Sequence, residues 1–183
     1  DGPLTRRLTA IARELDVNVA YGMAERRGET LYDSAVLVGP AGVAGVYAKR
    51  LPISIGPAGA RESDLFAAGR EAGVVRWGGV PTGVLVCADA GFDNMWAALA
   101  AQGVELVVIL SSGPGWTPKR DPTSGPSASR SESRNGVPAP TVIMPFGNSE
   151  VADAKGHVLV NAGDRADVFV SADVELHPAA PPR

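Results

Sequence analysis

The sequence predicts an α/β fold, in which β-strands alternate with helices that cover the sheets. Residues Pro3 to Asp16 place apolar side chains at helical spacing. The run from Glu105 to Leu110 is almost continuously apolar, as in a strand covered on both faces. Around Cys87, a strand, a helix and a strand follow one another. With 22 glycines and 15 prolines in 183 residues, the composition disfavours a bundle of long helices.

Composition and charge are those of an ordinary globular domain, with 45% hydrophobic and 20% charged residues. The net charge of −3 comes without a dense basic cluster, so we expect no nucleic-acid partner. Because the apolar runs are too short to cross a bilayer, we expect no membrane partner. The single cysteine and two histidines cannot assemble the usual disulfide or zinc patterns. We therefore expect a reducing, cytoplasmic setting and neither a metal nor another cofactor.

The first half of the chain predicts a helix, a strand and a hairpin. After the helix, the segment from Val17 to Met23 is short and rich in residues that favour a β-strand. Two apolar runs, Ala35 to Val38 and Val43 to Tyr47, flank a Gly-Pro-Ala-Gly turn, which predicts a hairpin. From Lys49 to Glu71 the apolar density falls, and we expect a surface loop of the length that is often functional.

The second half predicts a further strand pair, a helix and several short strands. Residues Val74 to Trp77 and Gly83 to Cys87 form the pair, and Asp93 or Asn94 can cap a helix that runs to Gln102. Ser111 to Ser133 has loop composition. Four later segments look like strands: Thr141 to Met144, Val151 to Ala152, Val158 to Val160 and Val168 to Val174. We expect one domain over residues 1–176 and a flexible proline-rich tail over 177–183.

Cys87 and Lys49 are the first candidates for chemistry. Cys87 closes an apolar strand before a turn into a helix, where a side chain can sit at the exposed end of the strand. The plain alternative is a buried cysteine that acts as a small apolar residue. Lys49 ends another apolar strand, where a lysine is usually a solvated charge. His157 and His177 fall in a hairpin tip and the tail, so a cysteine-histidine dyad is disfavoured.

Three segments carry a family resemblance when they are taken in order. They are Tyr47-Ala48-Lys49-Arg50-Leu51, then Glu62 to Gly69, then Gly83-Val84-Leu85-Val86-Cys87-Ala88-Asp89. Together they resemble the nitrilase superfamily, the carbon-nitrogen hydrolases that cleave amides, nitriles and carbamoyl groups with a cysteine. Each short motif is weak alone, and only the ordered series is specific.

The resemblance implies a fold and a set of site residues. The fold would be a nitrilase-like α-β-β-α sandwich, with two mixed sheets and helices on the outer faces. Cys87 would be the nucleophile and would form a thioester-type intermediate. Lys49 and the backbone N–H of Ala88 would stabilise the developing negative charge, and Glu62 would position the reacting groups. Trp116 could line a substrate pocket, although an exposed or interface tryptophan is an equal alternative.

Two departures from the family pattern temper this interpretation. The family's general-base glutamate precedes the first helix, ahead of Asp1, so we expect either an upstream segment or a degenerate relative. Asp33 stands where the family often has asparagine, and we interpret it as a turn residue. The leading hypothesis is a hydrolase of small amides, carbamoyl compounds or nitriles that forms a homodimer or larger homo-oligomer. The alternative is a catalytically inactive nitrilase-like domain that serves binding or assembly.

Overall fold

Two β-sheets lie between two helices in the computed structural model of the chain, which describes residues 2–52, 61–111, 141–144, 149–163 and 168–176. Within these ranges the α-helices are α1 (Pro3–Leu15) and α2 (Asp93–Ala100), and short 3-10 turns cover Glu62–Asp64 and Cys87–Gly91. The strands are β1 (Val19–Arg27), β2 (Thr30–Gly39), β3 (Gly42–Ala48), β4 (Val74–Trp77), β5 (Val80–Val86), β6 (Leu106–Leu110), β7 (Thr141–Met144), β8 (Glu150–Ala152) and β9 (Val158–Asn161).

Helix α1 and the first sheet follow the sequence prediction closely. Pro3 occupies the first turn of α1, where its missing N–H is not needed. Strands β1, β2 and β3 pair in antiparallel order, so the predicted hairpin between β2 and β3 is confirmed. Strand β2 begins at Thr30, five positions before the predicted Ala35. Because Thr30, Asp33 and Ser34 are polar, the apolar run from which the strand was predicted becomes continuous only at Ala35.

The second sheet has the strand order β4-β5-β6-β7-β8-β9. Strands β5, β6 and β7 are parallel, and α2 forms the crossover from β5 to β6. The prediction that β6 is a strand covered on both faces of the sheet is confirmed. Phe92, rather than Asp93 or Asn94, precedes the helix as its N-cap and makes no side-chain cap. Within the described residues, no helix is long and apolar enough to cross a membrane.

The segment 168–176 corrects one sequence prediction. Its apolar residues predicted a strand over Val168 to Val174, but residues 168–176 have no strand structure. Phe169 is 91% exposed there. An apolar pattern marks a candidate strand, but a strand also needs a sheet edge with which to pair. The predicted tail over 177–183 and most of the Ser111 to Ser133 loop lie outside the described residues.

Three apolar layers hold the sandwich together, and strand periodicity assigns residues to them. On β2, alternate side chains point to opposite faces of the sheet. Between the sheets lie Ala35, Leu37, Tyr47, Val84 and Val86. Helix α1 covers Val36 and Val38 with Ala12. On the other side, Met95 and Leu99 of α2, together with Val104 after the helix, cover Leu85, Val107 and Ile109. The resulting order of helix, sheet, sheet and helix is the α-β-β-α sandwich that the resemblance implies.

Candidate active site

The turn after β5 gives Cys87 an unusual backbone. β5 ends at Val86, and Cys87 opens the 3-10 turn with a φ of 48°, in the left-handed region. Residues other than glycine adopt this region rarely, and such backbone strain concentrates at functional sites. The thiol side chain is partly buried and contacts the apolar layer between the sheets. Cys87 is therefore neither a fully buried core residue nor an ordinary surface residue.

Lys49 follows directly after β3 and is buried to an unusual degree. Only 1% of the residue is exposed, in contrast to the solvated lysine that is usual at a strand end. Its Nζ donates to both carboxylate oxygens of Glu62, each at 2.7 Å. The Asp33 carboxylate lies 3.7 Å away. One buried ammonium thus faces two carboxylates, and Glu62 is its near partner.

Glu62 reaches Lys49 because the segment after it folds back onto the ends of β2 and β3. The Ala67 N–H donates to the Leu31 carbonyl at 2.9 Å, and the Gly69 N–H donates to the Lys49 carbonyl at 2.7 Å. At Gly69 a Cβ atom would collide with the backbone carbonyl of Ala48, so the close approach requires glycine. Part of the predicted surface loop is in this way fixed against the sheet.

Asp33 has a different place from the one that the sequence suggested. It lies within β2, not in a turn, and faces the Lys49 ammonium. Burial raises the pKa of the Asp33 carboxyl above its ordinary value, and the neighbouring Glu62 carboxylate adds to the rise. Lys49 opposes that rise. Asp33 is thus a third charged member of the cluster, which the turn interpretation missed.

Asp89 is the functional candidate that sequence reasoning did not single out. Its side chain is fully buried, and the carboxylate accepts the Tyr47 hydroxyl at 2.7 Å. It also accepts the backbone N–H groups of Leu51 at 3.0 Å, Val86 at 3.3 Å and Arg50 at 3.4 Å. Burial and the Asp89 charge together raise the pKa of Tyr47, so the phenol stays protonated and acts as a donor. A charged side chain three positions after the end of an apolar strand was the available signal.

The remaining predicted site residues have mixed outcomes. Ala88 follows Cys87 in the same turn and is partly buried. Trp116 lies outside the described residues, so its two alternatives stay open. His157 lies on the β8–β9 hairpin with 71% of its side chain exposed and contacts Asp153 at 3.0 Å. Among the residues that the structure describes, no three His, Cys, Asp or Glu side chains are grouped to hold a metal ion.

Comparison with known proteins agrees with this fold. A sequence model of the family described as carbon-nitrogen hydrolase matches residues 1–181. The chain therefore belongs to the carbon-nitrogen hydrolase family, the nitrilase superfamily that the motifs indicated.

Two curated relatives are enzymes of that family. The chain is 34% identical over 110 residues to an (R)-stereoselective amidase of Pseudomonas sp, a match that covers 60% of this chain and 38% of the amidase. It is 32% identical over 114 residues to a nitrilase of Pyrococcus abyssi, over 58% of this chain and 39% of the nitrilase. The matches thus span less than half the length of these relatives.

Solved structures show the same fold. A crystal structure of an amidase from Nesterenkonia sp. superposes with a TM-score of 0.67 at 23% identity, covering 97% of this chain and 66% of that one. A mutant of the amidase from Nesterenkonia sp. AN1, with acrylamide added at its active-site cysteine, gives a TM-score of 0.68 at 25% identity. That match covers 87% of this chain and 64% of the mutant. The α-β-β-α prediction is confirmed.

Proposed function

We propose that this chain carries the nucleophile of a hydrolase that cleaves a non-peptide carbon-nitrogen bond, with Cys87 as nucleophile and Lys49 and Glu62 in support. The observation that carries the proposal is the buried ammonium of Lys49, held by Glu62 at 2.7 Å. A buried charge is expensive even when it is paired, and an apolar residue would stabilise the fold at least as well. A catalytic use explains why a lysine occupies this position.

The proposed reaction has two stages. The Cys87 thiolate attacks the carbonyl carbon of an amide, and the carbonyl oxygen gains negative charge. Lys49 and the backbone N–H of Ala88 stabilise that oxyanion. The C–N bond then breaks, the leaving amine takes up a proton, and a thioester to Cys87 remains. Water hydrolyses the thioester to the carboxylic acid and restores the thiol.

Proton transfer in both stages needs a general base. In the family this base is a glutamate that precedes the first helix, and we assign that step to none of the residues 1–183. Glu62 has a separate part in the proposal, since both of its carboxylate oxygens are engaged with Lys49. It fixes where the ammonium points and offsets the cost of burying it.

The wider proposal includes substrate, assembly and setting. The substrate would be a small amide, carbamoyl compound or nitrile, in line with the amidase and nitrilase relatives. We also propose a homodimer or larger homo-oligomer, and a single domain over residues 1–176. The reducing, cytoplasmic setting expected from the lone cysteine suits a nucleophile that must stay a thiol. Turnover of aliphatic amides, carbamoyl amino acids and nitriles, with Cys87→Ala as the background control, tests the substrate class.

The decisive experiment uses the fact that Cys87 is the only thiol in the chain. Its alkylation by iodoacetamide is followed against pH in the folded protein. We expect fast alkylation well below pH 8.5, about where an ordinary thiol titrates. Lys49→Met should lower the rate at pH 7 by about tenfold or more, because the neighbouring cation that favours the thiolate is lost.

Lys155→Met is the matched control, since it removes the same charge from the exposed β8–β9 hairpin. Its alkylation profile should superimpose on that of the unmodified chain. A thiol that reacts only after denaturant is added would contradict the catalytic proposal. The inactive binding or assembly domain would then be the better interpretation.

A further inference from the structure

One carboxylate, that of Asp89, joins the two parts of the chain that carry the proposed nucleophile and its cation. Lys49 lies between Tyr47 and Arg50, and both of these donate to Asp89, at 2.7 Å and 3.4 Å. On the other side, Cys87 lies between Asp89 and Val86, whose N–H donates at 3.3 Å. The Tyr47 donor belongs to β3 of the first sheet and Arg50 follows shortly after that strand, whereas Val86 ends a strand of the second sheet.

We propose that Asp89 is a positioning residue that sets the approach of Lys49 to Cys87. The inference rests on the proposed function, since it gives the two side chains a shared task. Two stacked sheets have no backbone ladder between them, so their relative position depends on side-chain packing and on bridges of this kind. At the end of the sandwich where both residues lie, the Asp89 carboxylate supplies the bridge.

The chemistry of the bridge requires a carboxylate. In the part of the chain that the structure describes, four groups hydrogen-bond to Asp89, and all act as donors: one phenol and three backbone N–H groups. An ionised carboxylate offers only acceptors and can serve all of them. An asparagine amide would replace one oxygen with an NH₂ group, which would face an N–H donor. Buried donors left unpaired are costly, so the two strand ends would separate or rotate.

The bridge also explains how the left-handed backbone of Cys87 is held. Its φ of 48° is unfavourable for a residue with a Cβ atom and persists only where its surroundings impose it. The bond from the Val86 N–H to Asp89 closes the turn across Cys87, and the bonds to Tyr47 of β3 and to Leu51, in the segment after β3, anchor that turn to the first sheet and its continuation. Asp89 therefore sets both the direction of the Cys87 thiol and the position of the Lys49 ammonium.

A second cross-sheet hydrogen bond gives the experiment its matched control. The Trp77 indole donates to the Val38 carbonyl at 2.9 Å, at the opposite end of the sandwich. Trp77→Phe removes a partly buried bond between the sheets at the end away from Cys87. Asp89→Asn and Trp77→Phe are therefore compared in the full chain, with thermal unfolding recorded for both.

Two readouts are measured, and the first is the pH profile of Cys87 alkylation. Asp89→Asn should lower the rate at pH 7 by about tenfold, because a displaced cation favours the thiolate less. Tyr47→Phe, which removes one of the four donors, should have a smaller effect in the same direction. Trp77→Phe should leave the profile unchanged even if it unfolds at an equally lowered temperature. Equal shifts in Asp89→Asn and Trp77→Phe would overturn the proposal.

The second readout does not depend on a reactive thiol. Labelling of the Lys49 amine by an acetylating reagent should be slow in the unmodified chain, because Lys49 is 1% exposed, and exposed Lys155 serves as reference. Asp89→Asn should raise Lys49 labelling at least about fivefold relative to Lys155, since the end of β3 is released. Unchanged labelling overturns the positioning role. An inert thiol with increased labelling instead rejects the catalytic function and retains the bridge.

Discussion

Two ion pairs in this chain have nearly the same geometry and very different surroundings. On β1, Arg27 donates to both carboxylate oxygens of Glu25, at 2.8 Å each. Next to β3, Lys49 donates to both oxygens of Glu62, at 2.7 Å each. The Arg27 side chain is 47% exposed, whereas that of Lys49 is 1% exposed.

Burial, and not distance, separates the two pairs. Water competes for an exposed guanidinium and screens it, so such pairs contribute little to folding. Water cannot replace the partners of the buried Lys49 ammonium, so this charge depends on the carboxylates that face it. The Glu25 pair is a local feature of one hairpin, since Ser34 and Arg27 of the same hairpin are its partners. The Lys49 pair joins segments that meet only in the folded chain.

The largest effect should come from Glu62→Gln. The change leaves the Lys49 ammonium buried, and among the described residues Asp33, at 3.7 Å, is then its remaining ion-pair partner. We expect a loss of about 2 to 3 kcal/mol in the free energy of unfolding, measured by urea denaturation. Glu25→Gln, the same chemical change in the exposed pair, should lose less than about 1 kcal/mol. Equal losses in the two variants would show that burial does not govern the difference.

A smaller effect with a definite pH dependence is expected for Asp33→Asn. Because burial raises the pKa of Asp33, its ionised form lowers the stability of the folded state once the pH exceeds that pKa. The variant should therefore be more stable than the unmodified chain at pH 7, by about 0.5 to 1 kcal/mol.

The sign of this difference follows from proton binding. As the pH falls towards the ordinary aspartate pKa, about 3.9, the native carboxyl becomes protonated and the advantage of Asp33→Asn should vanish. Unfolding midpoints recorded between pH 4 and pH 8 test this. The control is Asp64→Asn, which removes an exposed carboxylate from the neighbouring 3-10 turn and should change stability little. An advantage that is constant across the pH range would refute the assignment.

The smallest effect should come from Arg27→Gln in the exposed pair. Arg27 holds the pKa of Glu25 below its ordinary value through their hydrogen bonds. The loss at neutral pH should still be about 0.5 kcal/mol or less, because the pair is solvated. In about 0.5 M salt the difference should shrink further, whereas the Glu62→Gln loss should persist. A salt-sensitive Glu62 pair would instead mean that water reaches Lys49.

Much of the architecture was predictable because it depends on local pattern. Each local pattern predicts the element in which it occurs. Examples are the helical period of α1, the Gly-Pro-Ala-Gly turn after β2 and the apolar run of β6. The position of Lys49 at a strand end and of Cys87 at a turn follows from the same reasoning. The strand predicted over Val168 to Val174 was wrong because pairing needs a partner, which no local pattern contains.

The sequence by itself determined the element types, the family and the residues whose side chains are capable of catalytic chemistry. Only the tertiary structure decided which charges meet. Asp89 binds Tyr47 across a separation of 42 positions, and Asp33 reaches Lys49 across 16. Such contacts depend on how two sheets stack and how a loop folds back, and residue spacing along the chain does not encode those distances. Because charged residues of types usually found at the surface are here buried together, they form a cluster whose members depend on one another.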